Sequence, residues 1–229
     1  MNWMAKTRSS ASAAAAVSST SRTVPSANPN AKLRTSNGLK EFLWLLSDIP
    51  HCRILDLGPV SQSTVTFFIE KGYRITTEDV LRTWKDFLTS EEEGLRTADG
   101  SVERISQSAL AEKFLESTLN YPEGSFHGVL GWDLFDYFDG ELLPRVMERL
   151  YNILQPGGAV LAHFHSRPAE HFHRYRVIDS QTVELLPAPT LAVHARVLRN
   201  REILDLFGKF HSSKTFVGRD QVREAIFLK

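Results

Sequence analysis

The chain has 229 residues, of which 42% are hydrophobic and 24% charged, and its 27 Lys and Arg residues balance its 27 Asp and Glu residues. This composition is typical of a globular domain with one full core, and the neutral formal charge indicates neither a nucleic-acid partner nor a membrane-surface partner. The single cysteine, Cys52, excludes an internal disulfide and favours a small buried apolar role in a reducing compartment.

The first 36 residues differ in composition from the rest of the chain. They are rich in Ala and Ser, have almost no large apolar side chains, and contain no acidic residue. Such a segment buries too little apolar surface to offset its loss of conformational entropy. We therefore predict a disordered tail over residues 1–36, dispensable for folding, and a folded domain over residues 37–229. A cytoplasmic location is the interpretation that we favour, although a tail without acids also fits an organelle transit peptide.

The beginning of the folded part predicts an alternation of helices and strands. "NGLKEFLWLLSDIP" predicts a helix, because its large apolar residues recur at helical spacing and Asn37 can cap its start. "CRILDL", residues 52–57, predicts a strand that is buried on both faces. "STVTFFIEKG" predicts a helix that ends at Gly72 in a left-handed conformation, and "YRITTEDV" predicts a second strand.

The remainder continues this alternation. Helical pieces are predicted within residues 81–118, around a charged loop, "SEEEGLRTADGS", and "FHGVLGW" predicts a strand. "GELLPRVMERLYNIL" predicts an amphipathic helix, which "QPGG" ends before a buried strand, "AVLAHF". Residues 165–198 are expected to be irregular, and a short helix, "NREILDLFGKF", follows. Strands that alternate with helices imply a mostly parallel α/β sheet, and the two closely spaced strands at the end favour an antiparallel pair.

The order of these pieces resembles the class I S-adenosylmethionine-dependent methyltransferases over about residues 40–229. "ILDLGPVSQ" lies where that family has its glycine-rich first motif, and "GYRITTEDV" resembles its second strand with an acidic end. "RVMERLYNILQPGGAVLAHF" resembles its helix, Pro-Gly-Gly turn and fifth strand. The resemblance implies a Rossmann-like three-layer sandwich, S-adenosylmethionine as the cofactor, and methyl transfer. The neutral charge favours a small-molecule acceptor over nucleic acid.

The resemblance also implies a set of cofactor-binding residues at the carboxyl ends of the strands, where open α/β sheets bind their ligands. These residues are Asp56, Gly58, Pro59, Ser61, Glu78, Asp79, Trp132 and Asp133. Asp79 aligns best with the family's ribose-binding acid, and its alternative interpretation is a solvated loop charge. Trp132 is expected either to pack on a ligand or to belong to the core.

The first turn departs from the family's pattern. Val60 and Gln62 stand where the family has glycines, and Pro59 has no N–H donor. The family's third strand is not recognisable either. Two functions therefore stay open: methyl transfer, or a catalytically weak methyltransferase-like fold that binds a ligand or a partner. A nicotinamide-binding domain would need a G-x-G-x-x-G turn, which this chain lacks.

The candidate catalytic residues are Asp133, His163 and His165. A base assists methyl transfer when the accepting nucleophile carries a proton, and histidines at a strand end can supply one. His163 and His165 are spaced to share one face of a strand, as are His171 and His173. Four imidazoles could bind a transition metal, but unanchored histidine pairs are common on surfaces and in pockets, and we predict no metal site. Asp136 is interpreted as a charge at a helix start. The sequence determines neither the acceptor nor the oligomeric state.

Overall fold

The computed structural model describes residues 28–94, 105–138, 140–169, 171–188, 195–218 and 220–229. The helices are α1 (Asn37–Leu46), α2 (Gln62–Glu70), α3 (Val80–Gly94), α4 (Gln107–Ser117), α5 (Leu142–Ile153) and α6 (Asn200–Leu206). The strands are β1 (Lys32–Thr35), β2 (Arg53–Asp56), β3 (Arg74–Thr77), β4 (Phe126–Trp132), β5 (Leu154–His165), β6 (His173–Val177), β7 (Thr182–Pro187), β8 (Ser212–Val217) and β9 (Val222–Leu228). Within these ranges, no helix is both long enough and apolar enough to cross a membrane.

Six strands form the main sheet in the order β3-β2-β4-β5-β9-β8. The first four run parallel, whereas β9 is antiparallel to both β5 and β8. This arrangement confirms the predicted α/β fold with a mostly parallel sheet and a C-terminal antiparallel pair. Among the residues described, no strand pairs with the outer edge of β3, where the third strand of the family was not recognisable in the sequence.

The main sheet has a hydrophobic core on each face. Consecutive strand residues point to opposite faces, so that Ile54 and Leu130 belong to one core and Leu55 and Val129 to the other. The core of Ile54 also contains residues of α1, α2, β6 and β7, and the core of Leu55 contains residues of α3, α4, α5 and α6. Burial on both faces explains the near-continuous apolar runs of β2 and β4.

A second sheet was not predicted from the sequence. It has three antiparallel strands in the order β1-β7-β6. Leu185 of the central strand β7 pairs with Lys32 of β1 on one side and with Tyr175 of β6 on the other. Strands β6 and β7 fall in the stretch that was expected to be irregular, and β1 falls in the segment that was expected to be a tail. The folded chain therefore starts earlier than the predicted boundary at residue 37, and residues 1–27 lie outside the described residues.

One local prediction needs correction. Ser36 caps α1 instead of Asn37, because the Ser36 hydroxyl accepts a hydrogen bond from the backbone N–H of Leu39 at 3.0 Å. Helix α3 confirms a helical piece predicted within residues 81–118, "VLRTWKDFLTSEEEG", and its end at Gly94 includes the first part of the predicted charged loop. Residues 95–104 lie outside the described residues. The predicted left-handed end of α2 is confirmed, since Gly72 has φ +78°.

A buried ion-pair network attaches β1 to the main sheet. The Arg34 side chain is only 6% exposed, and its Nε and Nη2 atoms lie 2.9 Å from Asp220 Oδ2 and 3.0 Å from Glu224 Oε1. Glu224 also accepts a hydrogen bond from the backbone N–H of Gly38 at the start of α1. Burial raises the pKa of Glu224, and the positive charge of Arg34 opposes that increase. The network thus joins β1, α1 and β9.

We expect Arg34→Ala to lower the free energy of unfolding by about 3–5 kcal/mol, because it leaves the buried Glu224 carboxylate without its cation. Urea denaturation at neutral pH measures the change. Arg82→Ala is the matched control, since Arg82 is 69% exposed and pairs with Asp86 at 3.8 Å. The control should cost less than about 1 kcal/mol. Equal losses in both variants would show that the Arg34 network does not stabilise the fold.

Candidate functional site

The carboxyl ends of β2, β4 and β5 bring most of the predicted site residues to one edge of the main sheet. Asp56 ends β2 and pairs in register with Leu130 of β4, whose last residue, Trp132, pairs with Ala162 of β5. His163 and His165 follow on β5. The parallel order of these strands therefore produces the cluster that the sequence predicted.

The carboxylate of Asp56 is enclosed by residues of the chain itself. Its Oδ1 atom accepts a hydrogen bond from the backbone N–H of Gly58 at 3.1 Å and another from the indole N–H of Trp132 at 2.8 Å. Burial raises the pKa of Asp56 to about 7, and the two hydrogen bonds oppose the increase. The acceptor that the resemblance assigned to the cofactor is therefore engaged by the protein.

The Trp132 side chain covers the first turn. A Cβ atom on Gly58 would lie 3.1 Å from Trp132 Cδ1, so the edge of the indole already occupies the space beside this glycine. The face of the indole stacks on Tyr175, with the ring centroids 5.0 Å apart and the planes inclined by 6°. Trp132 has φ +48°, a left-handed conformation that is rare for bulky residues, at a point where the pairing of β4 with β5 shifts register.

Little space remains in the cleft. The inner cavity between Gly58 and Trp132 has a volume of about 10 Å³, close to the minimum for one water molecule. Cavities that hold small-molecule ligands typically measure about 300–1,000 Å³. Its lining includes Gly58, Pro59, Trp132, Asp133 and Tyr175, four of which were predicted to bind the cofactor. With Asp56 engaged and Gly58 covered by the indole, this arrangement does not fit S-adenosylmethionine.

The two acids that follow β3 also have internal partners. Glu78 accepts a hydrogen bond from the backbone N–H of Leu119 at 2.9 Å. Asp79 accepts one from the backbone N–H of Arg82 at 3.3 Å, within the first turn of α3. Burial raises the pKa of Asp79, and its contacts with Arg82 lower it. Both acids therefore support the local structure, and a ribose contact from Asp79 remains a prediction.

Ser61 lies at the start of α2, where the sequence placed a cofactor contact. Its hydroxyl is 3.0 Å from the hydroxyl of Ser63, and it does not cap the helix through its side chain. Ser63 also accepts a hydrogen bond from Arg176 Nε at 3.3 Å. The polar atoms of this turn thus face β6.

Asp133, Asp136 and His165 form an acid–base cluster. Asp136 Oδ2 accepts a hydrogen bond from the backbone N–H of His165 at 2.7 Å and lies 2.9 Å from His165 Nδ1. On the other side of the ring, His165 Nε2 is 3.8 Å from Asp133 Oδ2. Burial lowers the pKa of His165, but the hydrogen bond to Asp136 and the charges of both acids outweigh it and raise the pKa overall.

Asp133 is the least compensated member of this cluster. It is fully buried, the His165 Nε2 atom lies 3.8 Å from its Oδ2 atom, and the Tyr175 hydroxyl interacts with its carboxylate. Burial raises its pKa to about 7, opposed by the nearby charge of His165. Burial and the charge of Asp133 raise the pKa of Tyr175 well above its usual value, so the phenol keeps its proton. Asp133 and His165 can hold or release a proton near neutral pH, which is the property required of a general acid or base.

His163 does not share this role. Its ring packs edge-on against Trp132 and Tyr175, with centroid separations of 5.6 and 5.1 Å, and it is fully buried. Burial lowers its pKa well below the usual value, so the ring is neutral. The structure therefore brings together two of the three predicted catalytic residues, Asp133 and His165, and places His163 behind the aromatic pair.

The histidines of "HFHSRPAEHFHRYR" do not form a metal site within the described part of the chain. No group of three or more His, Cys, Asp or Glu residues there is arranged to hold a metal ion. A cavity of about 570 Å³ lies away from the strand ends, between α5 and the residues around α6, and contains none of the predicted site residues.

One residue of the site and one contact were missed in the sequence. Tyr175 was overlooked because β6 was not recognised, although Tyr175 and Val177 alternate with polar residues as in a half-buried strand. Asp136 lies in the first turn of a short 3₁₀-helix, as its interpretation as a helix-start charge predicted, but its contact with His165 was missed. Its spacing of three residues from Asp133 was a usable signal, since a helical turn brings such residues to one side.

Comparisons with known proteins give likenesses of fold. A scan against models of protein families finds no match, and a search of curated proteins finds none either. The chain is similar to the structure of a SAM-dependent methyltransferase from Methanosarcina mazei, with 12% identity, a TM-score of 0.44, and coverage of 78% of this chain and 91% of that chain. It is similar to the structure of a SAM-dependent methyltransferase from Archaeoglobus fulgidus, with 14% identity and a TM-score of 0.46. The match covers 83% of this chain and 93% of that chain.

A third similar structure is the 1,6-didemethyltoxoflavin-N1-methyltransferase of Burkholderia thailandensis with bound 1,6-didemethyltoxoflavin and S-adenosylhomocysteine. The identity is 14%, the TM-score is 0.42, and the coverage is 84% of this chain and 77% of that chain. The chain has a mostly parallel α/β sheet with a C-terminal antiparallel pair, and what its site binds has to follow from the contacts of its own residues.

Asp133→Asn should change how stability depends on pH. The folded-state pKa of about 7 exceeds the ordinary value of 3.8, so the folded protein binds an extra proton between these pH values. The free energy of unfolding therefore falls as the pH rises through this window. Relative to the wild type, the variant should gain on the order of 2 kcal/mol between about pH 5 and pH 8. Urea denaturation at both pH values measures this, with Asp86→Asn as the exposed control.

Gly58→Val should destabilise the protein through contact with the indole. We expect a loss of about 1–3 kcal/mol in the wild type and a clearly smaller loss in a Trp132→Gly background. Urea denaturation of the wild type, the two single variants and the double variant gives the coupling energy between positions 58 and 132. Gly140→Val is the control, since a Cβ there would meet nothing closer than 4.0 Å. The same loss in both backgrounds would mean that the indole does not require this glycine.

Proposed function

We propose that this chain is a methyltransferase-like domain that binds a ligand or a partner and does not transfer methyl groups as the class I enzymes do. The observation that supports this function best is the closed cleft, in which the Trp132 indole donates to Asp56 and covers Gly58. The space in which an enzyme of this fold class would hold its cofactor is filled by a side chain.

Several contacts hold the cleft closed. Trp132 and Tyr175 are both 3% exposed, so their stacked rings are shielded from water. The strand that carries Tyr175 is attached to α2, because the Thr64 hydroxyl accepts a hydrogen bond from the backbone N–H of Val177 at 2.9 Å. Arg176 adds a contact with Ser63 and an ion pair with Glu184 at 2.8 Å. A ligand that enters the cleft has to replace the contacts of the indole.

The acids of the predicted cofactor site support the same conclusion. Asp56, Glu78 and Asp79 all accept hydrogen bonds from the protein. At Asp56 both donors contact Oδ1, so a ligand that takes this oxygen has to displace the indole N–H or the Gly58 N–H. Loss of such a buried hydrogen bond leaves an unpaired polar group and costs about 1–3 kcal/mol.

The acid–base cluster favours a second candidate function, S-adenosylmethionine-dependent methyl transfer to a small molecule. His165 lies between Asp136 and Asp133, and its side chain is 12% exposed. In this candidate, Asp133 or His165 takes the proton of the accepting group after Trp132 has left the cleft. The cluster lies at the strand ends, where ligands of open α/β sheets bind.

Isothermal calorimetry distinguishes the two candidates. We expect the wild type to bind neither S-adenosylmethionine nor S-adenosylhomocysteine with a dissociation constant below about 1 mM. The matched variant is Trp132→Gly. If this variant binds S-adenosylmethionine or S-adenosylhomocysteine and the wild type does not, the indole is what prevents binding. Binding by the wild type that weakens more in Asp79→Ala than in Glu78→Ala would support methyl transfer and contradict the main proposal.

A further inference from the structure

The Trp132 indole fills a space whose surrounding groups could bind a ligand of similar shape. Three features surround it: an acceptor at the Asp56 carboxylate, 2.8 Å from the ring nitrogen; a flat aromatic face at Tyr175; and a side-chain-free position at Gly58. Together they bind a planar ring through its N–H edge and one face. We infer that the cleft recognises a flat heteroaromatic ligand with a ring N–H, whose position Trp132 occupies in the closed state.

This inference rests on the proposed ligand-binding function and names the class of ligand. The backbone of Trp132 is consistent with a ring that can leave. Its left-handed conformation is disfavoured for a side chain with a Cβ atom, and such residues concentrate at ligand sites and switch regions.

Polar groups lie beside the ring. Asp133 and Tyr175 line the same small cavity as Trp132, and both are buried, with the Tyr175 hydroxyl interacting with the Asp133 carboxylate. The indole has a single N–H, which Asp56 already accepts. A carboxylate accepts more than one hydrogen bond, so a heteroaromatic ring with a second donor can donate to Asp133 as well, which indole cannot do. The ligand is therefore expected to be more polar than the side chain that it replaces.

A path into the cleft is present. A cavity of about 200 Å³ opens beside the first turn, lined among others by Pro59, Ser61, Arg174 and Tyr175. Pro59 and Tyr175 also line the small inner cavity. The two spaces therefore adjoin at Pro59 and Tyr175, which gives a ligand a route towards the ring.

The recognition is tested in Trp132→Gly. Glycine adopts a left-handed conformation without cost, so this variant removes the ring and adds no backbone strain. Calorimetric titration with indole is compared with titration with benzofuran, which has the same shape but no N–H. We expect indole to bind at least about tenfold more tightly, because Asp56 accepts its N–H. In Trp132→Gly with Asp56→Asn, this preference should shrink.

Trp84→Ala is the control, since Trp84 is buried and stacks on the apolar ring of Phe87, with centroids 5.6 Å apart. Its cavity should bind both probes within about twofold of each other. Equal binding of the two probes in Trp132→Gly, or no binding of indole there, would overturn the inference. Calorimetry with S-adenosylmethionine on the wild type decides the proposed function separately, so either conclusion can fail without the other.

The wild type provides a second test that does not depend on a cavity variant. Hydrogen exchange of the Trp132 indole N–H, identified by its absence in Trp132→Phe, reports how often the ring leaves Asp56. We expect exchange through a local opening, at a rate at least about tenfold above that of the most protected amides of β4. Exchange at the rate of global unfolding would make the ring a fixed part of the core and overturn the ligand role.

Discussion

The hydrogen bond from the Trp132 indole to Asp56 is the interaction on which the arrangement of the cleft depends. It joins the carboxyl ends of two neighbouring parallel strands, and it gives a buried carboxylate one of its two donors. An unpaired buried carboxylate is costly, so the bond also fixes the position of the ring. Tyr175 then stacks on that ring, and the second sheet covers the edge at which open α/β folds bind ligands.

The two halves of this edge differ in how well their polar groups are satisfied. On the β2 side, Asp56 has two donors and the space beside it is filled. On the β5 side, Asp133 is buried beside the Tyr175 hydroxyl, and His165, oriented by Asp136, lies 3.8 Å from it. Burial of a carboxylate is costly unless it is paired and hydrogen-bonded, and the contacts of Asp133 are longer than those of Asp56. The β5 side is therefore the less stabilised half of the edge.

The sequence predicted the parts of the fold that depend on local periodicity. Strands β2, β3, β4 and the β8–β9 pair, and the helices between them, follow from apolar runs and helical spacing. The place of β1 could not be predicted in this way, because it depends on pairing with β7 and on the contacts of Arg34 with Asp220 and Glu224, all of which are distant in the chain.

The site shows the same division. Asp56, Gly58, Asp133 and His165 could be identified because strand ends meet at one edge of a parallel sheet. The closure by Trp132 could not, since it depends on a left-handed backbone conformation and on Tyr175, a partner from another sheet. Periodicity identifies the residues that reach an edge, but it does not reveal which of them fill the space that they enclose.

The place of β9 in the main sheet has a consequence for biosynthesis. It follows every other element in sequence, yet it lies between β5 and β8 and pairs with both. Its side chains contribute to both cores, and its Glu224 receives Arg34 from the other end of the fold. While the ribosome is still making this strand, β5 has an exposed edge and Arg34 has no partner at Glu224. Nascent chains from which β9 has not yet emerged therefore cannot complete the sheet, because the edge of β5 still lacks the strand that covers it.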